Sequence, residues 1–524
     1  MDYTDINDCI QLLNERKKWS FRKDDISEKL QCFDTIQKIG APTTIYSLIG
    51  FLRNDNPLIR TKAAETILFL FGKLKSLNEY ADALKHLPIV KNDLDYYRVD
   101  FEEKTYLQLL GIASLNSSGY VREKAVKELA RLKNPDGLKF ILLRLGDWVV
   151  EVREAAIEGI SSFLENNYIE DLLKQLPTID WLLKVERVDL SPVYNRIIQF
   201  ILSQEFSEEF FIKIKNYDDK TRRRFYKAFL SNKRPTKEQL IIIREDKSFL
   251  VKLELIKHLS TFDIDDQKEL IAGFLQDPSA KVRLDALYAS KSFSPYFENK
   301  ISKLLSDEAA SVRDLSRHLL KNKGIDFATL YRERIAHQQF LYGSLLGLFE
   351  TGNSEDLLIF ERYINAEKSK LVVASLTSIN KFNSDKAKQY SLELLVHPIK
   401  KIRSKAVEVL AKSCDIETLQ KVRDIYAKGD YHIKKTILKL YNKIGGWNIV
   451  GDLLLALVDE NVDIQNLGWQ LLDKWKAKAI RLFTTPPPKE MERANKIYSS
   501  LDTSKLKLTN RRTSLLQDIR FFLT

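Results

Sequence analysis

Apolar residues recur along this chain at intervals of three and four, stop at a short polar stretch, and resume. That is the signature of consecutive amphipathic helices joined by tight turns. Leu270–Ser290, LIAGFLQDPSAKVRLDALYAS, shows the pattern in full. It predicts a first apolar helix ending at Leu275, a break at Asp277 and Pro278, and a second helix with Val282, Ala286 and Leu287 on its apolar face. Asp can cap the new helix, and Pro suits its first turn. Arg283 falls in that first turn, with Asp277 six residues earlier, or the Asp of a neighbouring unit, as its partner. Two short helices cannot bury both faces alone, so each unit must stack on its neighbours.

The same polar-then-basic spacing of six recurs in Asp147 with Arg153, Asp246 with Lys252, and Asp307 with Arg313. Weaker copies pair Asn54 with Arg60, Asn116 with Arg122, Asn216 with Arg222, His397 with Arg403, and Asp459 with Gln465. The second position falls at 60, 122, 153, 222, 252, 283, 313, 372, 403, 434 and 465, so the steps are close to 31 or twice 31. One slot, near Tyr342, has lost the pattern. Arg60, Arg122, Asp147, Arg153, Asp277, Arg283, Asp307, Arg313 and Arg403 are therefore read as structural positions of the repeat.

DPSAKVRLDALYAS, DEAASVRDLSRHLL and DWVVEVREAAIEGI resemble HEAT repeats, and the period is similar to the short HEAT-like units of the phycobilin-lyase type. The resemblance covers residues 26–475 and implies an all-α fold, an α-solenoid of about 13–14 helix pairs with a helical C-terminal cap. Residues 1–25 are expected to form an N-terminal capping helix, and residues 476–524 a basic extension with capping helices. The second helix of each unit generally lines the concave face in this family. Such repeats serve scaffolds, adaptors, chromophore lyases and some DNA glycosylases, so the resemblance fixes the fold and not the function.

Composition narrows the choice. The 524 residues include only 18 Gly and 13 Pro, too few for the turns of a large all-β protein. Apolar runs are short and broken by charges, so no membrane span is expected. The first residues carry acids ahead of any apolar stretch, unlike a secretory signal. Cys9, Cys32 and Cys414 form no CxxC pair, which argues against a disulfide framework or zinc ribbon and for free thiols in a reducing, cytoplasmic setting. No two of the six histidines lie within five residues of each other, so no metal motif forms locally and no cofactor is implied. None is followed by Glu, which removes the His-Glu ligand pairs of the HEAT-like iron hydroxylases. Phosphate-loop, HExxH and GxSxG motifs are absent, and no catalytic residue is assigned.

Charge supplies the candidate chemistry. Residues 400–443 hold 12 basic and 5 acidic side chains, residues 444–472 hold four acids and no base, and residues 473–524 again hold 12 basic and 5 acidic. The C-terminal quarter thus carries +10 of the net +12. Lys400, Lys401 and Lys405 open one second helix, and Lys434, Lys435, Lys439 and Lys443 lie on the next, 31 residues on. Stacking places these helices side by side, with Ile402, Val409, Ile437 and Leu438 as core. Arg403, filling the repeat slot, is set aside as a ligand contact. A smaller basic run, Lys220, Arg222, Arg223, Arg224 and Lys227, has Asp218 and Asp219 beside it and Phe225 and Tyr226 within it. LKHLP with Arg98-Val99-Asp100 and LKQLP with Arg187-Val188-Asp189 form a duplication offset by 89 residues. It reads either as a doubled binding feature or as a copied loop whose Asp caps the next helix.

These features favour a non-enzymatic protein-binding scaffold or adaptor, with an acidic protein surface as partner and no small-molecule substrate. The alternative is a nucleic-acid-binding protein, on the model of HEAT-like DNA glycosylases, which hold DNA in a basic groove and use aromatic residues. Trp148, Trp181, Trp447, Trp469 and Trp475 are the aromatics at hand, but they match no motif of that family. A chromophore lyase rests on the repeat period alone.

Overall fold

The computed structural model describes residues 4–14, 26–74, 84–203, 208–479, 481, 484–502, 506 and 508–523. It is 76% helical, with no strand among the described residues. The fold is an all-α solenoid of HEAT-like helix pairs. The chain divides into two units, Met1–Leu270 and Ile271–Thr524.

In the first unit, the helix Thr4–Asn14 packs on Ile26–Ile39, while residues 15–25 of the expected N-terminal cap lie outside the described residues. The second helices of the repeats include Pro57–Gly72, Gly119–Leu132, Val150–Ser161, Asp219–Asn232 and Phe249–Lys257. Gly119–Leu132 lies against Val150–Ser161, and Asp219–Asn232 against Phe249–Lys257. Val121, Ala125, Val126 and Leu129 meet the core from one helix, and Val152, Ala156 and Ile160 from its neighbour; all are buried. The 3–4 spacing read from the sequence is this buried stripe.

The repeat arginines tie neighbouring units together. Nη1 of Arg122 donates to the carbonyls of Asn116 and Ser117, both at 2.8 Å, six and five residues back. Its Nε and Nη2 reach forward to both carboxylate oxygens of Asp147, at 2.8 and 2.7 Å. Arg222 repeats the forward contact with Asp246, and Arg60 pairs with Asp100 at 3.1 Å. In the second unit, Arg283 donates to the carbonyls of Asp277 and Pro278 and, through Nε and Nη2, to Asp307, both at 2.7 Å. In Arg122 and Arg283 the arginine thus takes backbone carbonyls from its own repeat and a carboxylate from the next, whereas Arg153, among the described residues, makes the backward contacts alone, to the carbonyls of Asp147 and Trp148.

The aspartate does not cap the second helix as expected. Oδ1 of Asp277 accepts the Ser279 N–H at 2.8 Å, and Asp147, Asp246 and Asp307 make the same bond to the residue two ahead. This Asx turn uses the side chain one step before the helix; Ser279 is the N-cap and Pro278 stays outside the first turn. The duplicated segments also diverge. Asp100 ends the helix Asp93–Asp100 and pairs with Arg60, whereas Asp189 accepts the N–H of Ser191 just ahead of the helix Ser191–Ser203.

In the second unit the second helices are Ala280–Ser290, Ala310–Leu320, Ser369–Phe382, Lys400–Ser413, Tyr431–Ile444 and Val462–Ala479. The last four lie in sequence, each against the next. Val282, Ala286 and Leu287 are fully buried. Near Tyr342, where the pattern lapses, the helices Phe327–Ala336 and Leu341–Thr351 are joined by a loop holding Gln338 and Phe340 at positive φ. Glu350 there receives Nε of Arg313 at 3.1 Å and Nη1 of Arg317 at 2.6 Å, in place of a next-repeat Asp. Leu341–Thr351 approaches the turn at Ser306, ahead of Ala310–Leu320, closely because residue 343 is glycine: a Cβ there would sit 1.6 Å from the Ser306 carbonyl oxygen. Gly343→Ala is therefore expected to destabilise the protein by about 3 kcal/mol, the upper end of overpacking costs, as read by urea titration.

Beyond the repeats, Pro488–Ser499 packs on Val450–Ala456, and Asn510–Leu523 packs on Val462–Ala479 and on Pro488–Ser499. Leu515, Leu516, Ile519 and Leu523 of the final helix are buried, which gives the expected helical C-terminal cap. No helix among the described residues is long and apolar enough to cross a membrane.

Candidate anion-binding groove

Two second helices, the first groove helix (Lys400–Ser413) and the second groove helix (Tyr431–Ile444), define the site. Each is amphipathic. Ile402, Ala406, Val409 and Leu410 of the first and Ile437, Leu438, Leu440 and Tyr441 of the second are buried in the repeat core. The second helix begins at Asp430, whose Oδ1 accepts the Ile433 N–H at 2.9 Å, and ends where Gly445 adopts positive φ. Burying these apolar stripes leaves the polar faces beside one another.

Between them runs a cleft of about 470 Å³. Its first wall presents Lys400, Arg403, Ser404 and Val407; its second presents Tyr431, His432, Lys435, Thr436, Lys439 and Lys443. Five cationic side chains line it, and no carboxylate does. Tyr431, Lys435, Lys439 and Lys443 stand four residues apart on one helical face. Lys435 Nζ donates to the Tyr431 hydroxyl at 2.8 Å and lies 5.1 Å from its ring centre. That hydrogen bond holds the Lys435 pKa above the ordinary lysine value, so the ammonium stays charged. Among the described residues, Lys400, Lys439 and Lys443 have no carboxylate within ion-pair distance.

Four of the seven lysines singled out from the sequence therefore meet in the groove. Lys401 is exposed but lies outside it. Lys405 pairs with Glu408 at 3.2 Å, and Lys434 with Asp459 at 2.8 Å. Lys434 holds an arginine slot of the repeat and makes the forward contact of that slot. Gln465 in the next slot donates back to the Asp459 carbonyl at 2.7 Å.

The smaller basic run in the first unit behaves differently. Arg222 is taken by Asp246 and Asp219, Arg223 by Glu254 at 2.9 Å, and Arg224 by Asp180 at 2.8 Å. Phe225 and Tyr226 are core residues. The tryptophans do not gather at the groove: Trp148 is exposed beneath Arg187, Trp469 is buried beneath Arg512, and Trp447 and Trp475 meet edge to face. Among the described residues no group of three His, Cys, Asp or Glu is placed to hold a metal ion. Sequence reasoning missed Tyr431, His432, Ser404 and Thr436, which are ordinary helix residues until the two helices are set together.

No protein-family model matches this sequence, and comparison with curated proteins finds no relative. Solved structures similar to it include the karyopherin Kap121p bound to the extreme C-terminus of the protein phosphatase Cdc14p, 12% identical, with a TM-score of 0.36 over 95% of this chain and 63% of that one. Kap121p bound to Pho4p is 12% identical, with a TM-score of 0.36 over 100% of this chain and 66% of that one. Importin beta is 11% identical, with a TM-score of 0.33 over 98% of this chain and 83% of that one. The chain spans slightly under two thirds of the length of Kap121p. At these TM-scores the likeness bears no weight in assigning a function.

Proposed function

We propose that this protein is a non-enzymatic binding scaffold whose groove between Lys400–Ser413 and Tyr431–Ile444 holds an extended acidic segment of a partner protein. The observation that carries this reading is a cleft lined by five cations and no carboxylate. Spacing supports a peptide. Residues four apart on a helix are separated by about 6 Å along its axis. Alternate side chains of an extended strand lie about 6.6 Å apart on one side. Lys435, Lys439 and Lys443 can thus face three alternate acids over about five or six residues of peptide. A single nucleic-acid strand would call for aromatic platforms along its length. The groove offers one tyrosine, at one end, with its hydroxyl engaged by Lys435. The free thiols Cys9, Cys32 and Cys414 fit a reducing compartment such as the cytoplasm.

The test is fluorescence anisotropy with a labelled peptide carrying Glu at three alternate positions, beside a labelled oligothymidine of equal length. The peptide should bind. Charge reversal at Lys435, Lys439 and Lys443 together should weaken it at least 30-fold while the melting temperature moves by no more than about 2 °C, since none of the three is a core residue or, among the described residues, part of an ion pair. Unchanged peptide affinity in the triple variant would show these lysines to be a solvated face. Tighter binding of the oligothymidine, with a steep salt dependence, would favour the nucleic-acid reading instead.

A further inference from the structure

Arg403 is the one groove residue that belongs to the repeat framework, and its rung differs from those of Arg122, Arg222 and Arg283. Nη1 makes the usual backward contacts, donating at 2.7 Å to the carbonyls of His397 and Pro398, six and five residues back. The forward contact is changed. In the Arg122, Arg222 and Arg283 rungs, Nε and Nη2 both grip an aspartate of the next repeat. That aspartate lies six residues before the next slot, as Asp147 does before Arg153 and Asp307 before Arg313. Six residues before Lys434 stands Lys428. The nearest acid, Asp430, is spent on capping the second groove helix. Nε of Arg403 turns instead to the hydroxyl of Thr436 at 3.2 Å, and among the described residues Nη2 has no acceptor and no carboxylate lies within ion-pair distance.

Arg403 as a residue is more than nine-tenths buried, at 7% exposure, and its side chain lines the cleft. A charge on a largely buried residue is costly unless paired. In the Arg122, Arg222 and Arg283 rungs the counter-charge comes from within the chain, and Arg153, which makes only the backward contacts among the described residues, is less buried than Arg403. Here every neighbour lining the cleft is neutral or basic. Local rules of a fold are most often broken where function requires it.

We infer that Arg403 is the anchor of the groove: a carboxylate side chain of the bound peptide takes the forward contact, meeting Nε and Nη2 as Asp147 meets Arg122, with Lys400 and Lys435 flanking it. The inference rests on the reading of the groove as a peptide-binding surface. It adds that one acidic position of the peptide counts far more than the rest, because the lysines are exposed or half-buried point charges, whereas Arg403 is buried and presents a planar fork. It also assigns a carboxylate rather than a phosphate, since carboxylates fill the equivalent place in the complete rungs.

The experiment uses the full chain and a labelled peptide with three alternate Glu residues, together with three variants in which each Glu is replaced in turn by Gln and one in which the key Glu becomes phosphoserine. With the unaltered protein, one Glu→Gln change should weaken binding at least tenfold and the other two less than threefold. Arg403→Lys, which keeps the charge and removes the fork, should level the three penalties. Lys428→Asp is the complementary variant. It places an acid at the register position of Asp147, Asp246 and Asp307, and should raise the melting temperature while abolishing the preference for the key Glu. If the peptide binds with three equal penalties and Arg403→Lys changes nothing, the anchor is overturned and the groove reading stands. If no peptide binds the unaltered protein, the groove reading itself fails. Tighter binding of the phosphoserine peptide than of the Glu peptide would overturn the carboxylate assignment. Should Arg403→Lys fail to fold, Lys428→Asp decides alone: retained selectivity for the key Glu would sink the proposal.

Discussion

Arg122→Ala should lower the free energy of unfolding by about 3–5 kcal/mol, the cost of leaving one member of a buried ion pair without its partner. The pair is deeply buried, with side-chain exposures of 5% for Arg122 and 1% for Asp147. Removing the arginine deletes two bonds to the carboxylate and two to backbone carbonyls at once. Asp147 then keeps only Arg144 at 3.1 Å and the Val149 N–H at 3.0 Å. Because stacked repeats contact chiefly their neighbours, hydrogen exchange should rise over residues 103–161 and stay unchanged over 237–257. Uniform loss of protection would mean that the unit unfolds as a whole.

The same pair sets an acid limit. Burial alone would raise the Asp147 pKa, but the bonds from Arg122 and the Val149 N–H outweigh it and hold the carboxyl below the ordinary aspartate value. A carboxyl depressed in the folded state stabilises the protein above its unfolded pKa, about 3.9, and loses that contribution as pH falls through the lower folded value. Stability should therefore be level near neutrality and fall below about pH 4. In Asp147→Asn the fall should be shallower, from a lower starting point. Parallel curves for the two proteins, by denaturant titration at stepped pH, would show that other carboxyls govern acid unfolding.

Arg423→Ala should have a comparable effect at the other end of the sequence, again about 3–5 kcal/mol. Arg423 bridges Asp452 through Nε at 3.0 Å and Glu490 through Nη2 at 2.6 Å, and Arg493 joins Asp452 at 2.6 Å. Two arginines and two acids thus form a closed set, with Arg423, Asp452 and Glu490 all buried. The two carboxylates hold the Arg423 pKa above even the usual guanidinium value, so it is charged at every working pH. Without it, Arg493 is left to offset both acids. The helix Pro488–Ser499 should then detach, and limited proteolysis should cut within residues 488–499 first. Glu490→Gln keeps the shape and should cost less, about 1–2 kcal/mol, in line with a lost charge-assisted bond. Unchanged protease resistance in Arg423→Ala would show that apolar contacts of Ala494 and its neighbours suffice to seat the helix.

The all-α repeat fold was legible because its signals are local. Apolar residues at intervals of three and four write a buried stripe directly into the sequence, and Val282, Ala286 and Leu287 are buried as that stripe requires. The backward half of each arginine rung is equally local, since it joins an arginine to carbonyls five and six residues back. The forward half was open: the aspartate of the same repeat lies six residues back and that of the next 24 residues on, and sequence alone left both as partners. Stacking chooses the next, because the guanidinium fork points along the stack once its other edge is held by its own turn. The missing aspartate at Lys428 stood in the sequence as well, yet it had meaning only after the forward contact was known. The charged runs show where sequence reasoning ends. Arg222, Arg223 and Arg224 resemble a binding patch until Asp246, Glu254 and Asp180, from 24 to 44 residues away, close on them. Lys434 is claimed by Asp459 in the same way, whereas no acid among the described residues claims Lys439. Composition counts charges, but pairing depends on distances of a few ångströms between side chains far apart in the chain. Only the packing of one repeat on the next sets those distances, and with them which cations are left for a partner.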